Sequence, residues 1–285
     1  MPMRISKVDT AELITAGLAM AHNSPIMESK AHASNRPQAP QGGCPRQFAS
    51  TARLFTEAGF AAIRSTRLGV VGLGGVGSWA AEALARSGVA AITLVDMDHV
   101  AESNLNRQVQ ALHSTLGVAK GDALRDRILD IAPDCGVCVI DNFLTADNAS
   151  DILPQADFWI DATDDLSAKR SMILWMRDQK RLSDLVVSGG AGGKTDPTRV
   201  SVMDLAEAAH DTLLSSLRYD LRKNYGFPRK GKMKMQVVSS NQPIQRSDDC
   251  DPVARLACAG YGSLVTVTAV MGLVAASTVL ARITQ

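Results

Sequence analysis

The chain has almost no net charge: 30 basic against 29 acidic residues in 285 leave +1. Without an excess of either sign there is no global attraction to nucleic acid or to a membrane surface. Any such affinity has to come from a local patch. Cysteine is scarce too. The five thiols, Cys44, Cys135, Cys138, Cys250 and Cys258, form no disulfide framework, and no signal peptide opens the sequence. Both features point to a reducing cytoplasm. A zinc site lacks its ligands: Cys135 and Cys138 make one C-x-x-C within a strand-like stretch, and no second pair follows. With 46% apolar and 21% charged residues the chain is globular and soluble in composition, long enough for one large α/β domain or two small ones.

Charge is missing altogether from residues 256 to 281, between Arg255 and Arg282. That length could cross a bilayer. The segment is dominated by Gly, Ala, Ser and Thr with few large aliphatics, which favours a helix buried in protein, at a subunit interface, over membrane contact. Residues 1 to 45 carry scattered charges of both signs and a breaker-rich stretch, "SNRPQAPQGGCP", and read as a mostly disordered tail. Asp9, Glu12 and Glu28 argue against a targeting peptide there.

From residue 46 onward the pattern is regular. A helix over about 50–64 leads into the strand "RLGVVG", a helix from Ser78 and the strand "AITLVD". An amphipathic helix stopped by Pro133, the strand "VCVI", a short helix and the strand "FWIDAT" follow. Then come the helix "SAKRSMILWMRDQK" and the strands "LVVSGG" and "TRVSVMDL". Apolar strands alternating with amphipathic helices predict a doubly wound, Rossmann-like, mostly parallel sheet with helices on both faces. Residues 218–234 interrupt it as a crossover loop, with seven basic residues against the single acid Asp220 and Tyr219, Tyr225 and Phe227 interleaved.

Gly72, Gly74 and Gly77 form G-x-G-x-x-G between a strand and a helix. The first glycine allows the tight turn, the second lets a phosphate approach the backbone, and the third lets the helix pack closely. The helix N-terminus that follows favours an anion. Asp96 ends the next strand, where a carboxylate can accept from ribose hydroxyls. This set predicts a nucleotide, and the residues after Asp96 select which one. A nicotinamide cofactor needs little more, whereas this loop offers Asp98, Asn104, Asn106, Arg107 and Gln108, then Lys120 at a helix start. Cations beside a glycine loop suit a triphosphate whose pyrophosphate must leave. Asp164, at the end of "WIDATD", falls at the carboxyl edge of the sheet, where it could hold a magnesium ion on the phosphates or cap the helix that follows.

The stretches "GLGGVGSWAAEALARSG", "ITLVDMDHV", "SNLNRQ", "GVAK" and "DATDD" resemble the ubiquitin-activating-enzyme-like adenylyltransferases. "SGGAGGKTDPTRVSV" and "GYGSLVTVTA" resemble most their tRNA threonylcarbamoyladenosine dehydratase branch, and the likeness covers residues 46 to 285. It implies that Gly72, Gly74, Gly75 and Gly77 cradle phosphates and Asp96 holds the ribose. Asn104, Arg107 and Lys120 would hold the triphosphate, with Asp164 near magnesium. Arg53 matches an arginine that reaches into the neighbouring subunit's ATP site, which implies a homodimer. The implied reaction adenylates the threonyl carboxylate of threonylcarbamoyladenosine in tRNA, then closes the ring with loss of AMP. A sulfur-transfer partner and a monovalent cation stay open. The branches that activate small sulfur-carrier proteins share the ATP residues but add two C-x-x-C zinc pairs, which this sequence lacks. Some dehydratases carry a cysteine shortly before the residues matching Ser239 and Ser240; here Gln236 stands nearest, and Cys258 is a poor substitute. A carrier-protein adenylyltransferase is the first alternative. A nicotinamide oxidoreductase would leave Arg107, Lys120 and Asp164 without a role, and a nucleotide-binding protein without turnover is the third.

Overall fold

The computed structural model describes residues 44–145, 148–245 and 261–285. The tail reading for residues 1–45 lies almost wholly outside them, as do Cys250 and Cys258. Two short helices, α1 (Ala49–Ala52) and α2 (Glu57–Ser65), lead into β1 (Arg67–Val71). The expected single helix over 50–64 is therefore broken. Thr56 is the reason: its hydroxyl accepts from Gly59 N at 3.0 Å and restarts the helix as an N-cap. Then follow α3 (Gly77–Ser87), β2 (Ala91–Val95), α4 (Lys120–Ile131), β3 (Gly136–Ile140), α5 (Ala149–Ile152) and β4 (Phe158–Asp161). The chain continues through α6 (Leu166–Asp178), β5 (Leu185–Ser188), β6 (Val200–Asp204), α7 (Thr212–Asn224), β7 (Gln236–Ser240) and α8 (Val265–Ile283).

Among the described residues the strands form one sheet in the order β3-β2-β1-β4-β5-β7-β6, parallel except for the β6–β7 pair. Successive strand side chains point to opposite faces, and the core divides accordingly. Val70, Leu94 and Ile160 join Leu84 of α3, Leu124 of α4 and Met271 of α8 on one face. Val71, Val95 and Trp159 join Met172 of α6 and Leu217 of α7 on the other. This is the doubly wound α/β arrangement expected.

Two segments depart from the sequence reading. Residues 218–224 are the last turns of α7, not part of a loop, because Leu214, Leu217 and Leu221 repeat at helical spacing and are fully buried. The strand β7 was not anticipated; Val237 and Val238 are its only apolar members, each fully buried. In the uncharged segment, residues 261–264 lead into α8, which packs along α3. Its apolar length and mean hydropathy of 1.7 meet the requirement for a membrane span, yet Val267, Met271, Ala275 and Val279 are all buried within the protein.

Candidate active site

The strand order reverses between β1 and β4, and in open α/β sheets ligands bind outside the carboxyl ends at that point. A cleft of about 970 Å³ lies there. The turn after β1, the acid after β2, the loop after β4 and the glycine run after β5 line it. Of the residues singled out from sequence, Gly72, Gly74, Gly75, Asp96, Asp98, Asn104, Asn106, Arg107, Gln108, Lys120 and Asp164 all line this one cleft. Gly77 and Arg53 do not line it.

The glycine turn works by close approach. Gly72 has φ of 84°, and a Cβ there would meet Thr163 N at 2.7 Å. A Cβ on Gly77 would fall 1.8 Å from Gly72 O, so Gly77 serves the fold of the turn and not its open surface. Gly74 faces open space, where a Cβ would meet nothing within 4 Å. The turn thus presents bare backbone to the cleft at the head of α3, a setting suited to phosphate.

Asp96 is fixed by two backbone donors: Leu73 N to Oδ2 at 2.6 Å and Asp98 N to Oδ1 at 2.8 Å. Burial raises its pKa above the usual aspartate range, against the opposing pull of Lys120 and these two N–H groups. Each carboxylate oxygen retains a lone pair for a ribose hydroxyl. Lys120 is 6% exposed and begins α4, the end of a helix that favours anions. Its Nζ lies 2.7 Å from Asp98 Oδ2. Arg107 donates from one terminal nitrogen to Ser103 O at 2.7 Å and Asn106 Oδ1 at 2.9 Å, and its carbonyl accepts from Trp79 Nε1 at 2.9 Å. Asn104 Oδ1 accepts from Ala101 N at 3.1 Å, which shapes the loop, and Asn106 Nδ2 donates to Ser263 O at 3.1 Å. Gln108 is 5% exposed beside Gln110, whose Nε2 lies 3.4 Å from Gln108 Oε1.

Asp164 faces the cleft from an exposed position. It does not cap α6; the cap is Asp165, whose Oδ1 accepts from Ala168 N at 2.7 Å. One carboxylate beside bound phosphates is the usual protein share of a magnesium site. Beneath the loop lies a pair that sequence reading missed. Asp161 Oδ1 accepts from Thr163 N at 3.0 Å and Thr163 Oγ1 at 2.8 Å, and Lys169 Nζ lies 3.3 Å from the same oxygen, both side chains being buried. A lysine on the apolar face of α6, in register with Met172 and Met176, was the available signal.

Arg53 is exposed in the break between α1 and α2, beside Leu54, which is 80% exposed. Cys135 is buried and its thiol is pushed up to about 11, chiefly by desolvation, which leaves it inert at neutral pH. Gln236 begins β7, at the opposite end of that strand from the cleft, so a thiol at its place would not reach the nucleotide turn. In the basic segment, Arg218 donates to Leu205 O and Ala208 O, and Arg222 to Pro228 O and Gly231 O. These two arginines are engaged as scaffolding. Lys223 lies 5.4 Å from the centre of the Tyr219 ring, which is 64% exposed.

A tRNA threonylcarbamoyladenosine dehydratase of Haemophilus influenzae is 38% identical over 245 residues, 84% of this chain and 93% of that one. The dehydratase of Escherichia coli is 40% identical over 251 residues, 83% of this chain and 93% of its own length. A solved structure of the Escherichia coli enzyme in complex with ATP superposes with a TM-score of 0.75, covering 83% of this chain and 93% of that one. The family model described as the ThiF family matches residues 46–285, taking in the glycine turn, the cationic loop and the whole sheet, and the chain belongs to that family.

Proposed function

We propose that this protein is an ATP-dependent tRNA threonylcarbamoyladenosine dehydratase. It adenylates the threonyl carboxylate of the modification and then lets the modification close on itself. One observation carries the reading. The residues suited to a triphosphate surround a single cleft, in a chain that matches dehydratases over 93% of their length at 38% and 40% identity.

The chemistry follows from the placement. A carboxylate is a poor electrophile, so it attacks the α-phosphorus and pyrophosphate departs. Lys120 and Arg107 neutralise the charge that develops on the leaving oxygens, and the glycine turn and Asp96 hold the nucleotide in line. The acyl adenylate is then attacked from within the same modified nucleoside, and AMP leaves. Because that step is intramolecular it needs positioning and no protein nucleophile. Asp164 would hold a magnesium ion, which when bound shields the phosphate charge.

The partner is tRNA. Leu213 at the start of α7 lines the cleft, and α7, 13 residues and about 20 Å long, leads away from it to the loop holding Arg229, Lys230, Lys232 and Lys234. Cations at that distance would meet phosphates of the strand flanking the modified nucleotide, with Tyr219 available for stacking. The active form is a homodimer in which Arg53 enters the partner's cleft, and the compartment is the cytoplasm. A carrier-protein adenylyltransferase would need two zinc pairs, and the sequence holds a single C-x-x-C.

The test is pyrophosphate release from ATP and magnesium with the purified protein. It is run with tRNA bearing threonylcarbamoyladenosine and with tRNA lacking it. Release only with the modified tRNA, with loss of one water from that nucleoside by mass spectrometry, is the expected result. No release with either tRNA, despite ATP binding, would refute it.

A further inference from the structure

Two strands over from the glycine turn, the cleft is lined by the run Gly189–Gly192 after β5. Its shape is set by a carboxylate that does not itself line the cleft. Asp211, 4% exposed, accepts from Gly190 N at 2.9 Å and from Ser239 Oγ at 2.8 Å through Oδ2. Through Oδ1 it accepts from Leu214 N at 3.0 Å and so caps α7. One side chain therefore joins the exit of β5, the body of β7 and the head of α7. Gly189 is fitted to it: a Cβ there would lie 2.0 Å from Asp211 Oδ2.

The same run is tied at its other end. Lys194, 2% exposed, donates from Nζ to Ser240 O at 2.6 Å. Gln242 Oε1 accepts from Thr195 N at 2.9 Å and Asp196 N at 2.8 Å. Burial lowers the Lys194 pKa, and the field of Asp211 opposes that fall. Consecutive serines of β7, Ser239 and Ser240, thus receive one tie each, and Gly189–Gly192 between β5 and Lys194 face the cleft. A buried carboxylate and a buried ammonium are costly to keep unless something depends on the geometry they fix.

We infer that Asp211, acting through Ser239 and Gly190, is a positioning residue for the acceptor half of the cleft. It sets where the threonyl carboxylate of the modified nucleoside stands relative to the α-phosphorus. The inference rests on the dehydratase reading above. It adds a division of labour: the glycine turn, Asp96 and Lys120 hold the nucleotide, and the Asp211 tie holds the wall against which the acceptor is placed. Misplacing reactants by an ångström is costly to rate even where binding survives.

The test compares wild type with Ser239→Ala and Asp211→Asn in the full chain. Asparagine keeps the capping oxygen for α7 but not both of the other contacts, and Ser239→Ala removes one tie with no change to the cap. The measurements are ATP affinity, melting temperature, and kcat and KM for tRNA bearing threonylcarbamoyladenosine. The expected result is a loss in kcat/KM for that tRNA of between about tenfold and a hundredfold in Asp211→Asn, with a smaller loss in Ser239→Ala. ATP affinity stays at the wild-type value in both. If ATP affinity falls in step with turnover, or if both variants turn over the modified tRNA as wild type does, the positioning role is overturned. If wild type itself does not act on the modified tRNA, the functional reading fails and takes the inference with it. The wild-type control therefore separates the two failures.

Discussion

Lys120 Nζ and Asp98 Oδ2 lie 2.7 Å apart at the base of the cleft, with the lysine side chain 8% exposed and the aspartate 54% exposed. The ammonium stands at the first residue of α4, where the helix dipole disfavours a cation. A buried cation against the dipole is poor design for stability alone, and in the proposed function it draws in a phosphate. Lys120→Met is expected to lower pyrophosphate release between about a hundredfold and a thousandfold. Its melting temperature should hold or rise, since the substitution removes a buried charge at an unfavourable helix end. Turnover within twofold of wild type would remove Lys120 from the triphosphate site.

Asp96 gives a pH dependence with a definite sign. Burial raises its pKa, so in the folded chain it takes up a proton at a higher pH than an ordinary aspartate. For stability, the favourable share from this group is full below the unfolded pKa of about 3.9 and lost as pH rises through the folded value. In the proposed function ATP binding runs the other way, because only the ionised carboxylate can accept from both ribose hydroxyls. ATP affinity should therefore decline on acidification from neutral pH, before an exposed aspartate would titrate. Asp96→Asn should bind ATP more weakly at neutral pH and show a flattened pH profile. Calorimetric titration across the acid range checks both, and an unchanged slope in the variant would exclude Asp96 as the titrating group.

The glycine turn and the acid that line the cleft beside β1 and β2 were legible in the sequence because their information is local. A strand, a glycine turn, a helix and an acid follow one another between Leu68 and Asp96, and each is recognisable within a few residues. The tie behind the Gly189–Gly192 run was not. Asp211 meets Gly190 across 21 residues and Ser239 across 28, in no fixed pattern. Ser239 and Ser240 in β7 are fully buried by virtue of such contacts, and that burial hid the strand, since two serines beside two valines carry little strand signal. Lys169 was likewise hidden: its partner Asp161 ends a strand, and a lysine on a helix ordinarily reads as solvated. The glycine of α8, Gly272, tells the same story, because what it faces is known only once α3 is in place.

At Gly272, α8 packs tightly against the start of α3. A Cβ there would lie 2.4 Å from Val76 O and 2.9 Å from Ala80 N, both backbone atoms that cannot swing aside. Gly272→Ala should therefore destabilise the protein by about 1–3 kcal/mol, the usual cost of overpacking a filled core. Thr268, one turn earlier, lines the cleft, and its Cβ lies 3.1 Å from the place a Gly75 Cβ would occupy. The variant should then also bind ATP less tightly. A melting temperature and ATP affinity equal to wild type would show that the two helices do not meet in solution as they do here.

The proposed dimer makes a prediction that neither subunit alone can satisfy. Arg53 stands in the break that Thr56 creates between α1 and α2, exposed, and outside the cleft of its own chain. If it completes the site of a second copy, Arg53→Ala should abolish turnover while leaving the cleft's own residues intact. Mixing Arg53→Ala with Lys120→Met subunits then gives a sharp result. In each mixed dimer one site has both residues and the other has neither. Random exchange puts half the protein in mixed dimers, with half of their sites intact, so activity should return to about a quarter of wild type from two inactive parents. Exchange is followed by tagging one parent and recovering mixed dimers, whose turnover is then measured directly. Mixed dimers without activity would place Arg53 outside the partner's site, and an Arg53→Ala protein with full turnover would remove it from the reaction.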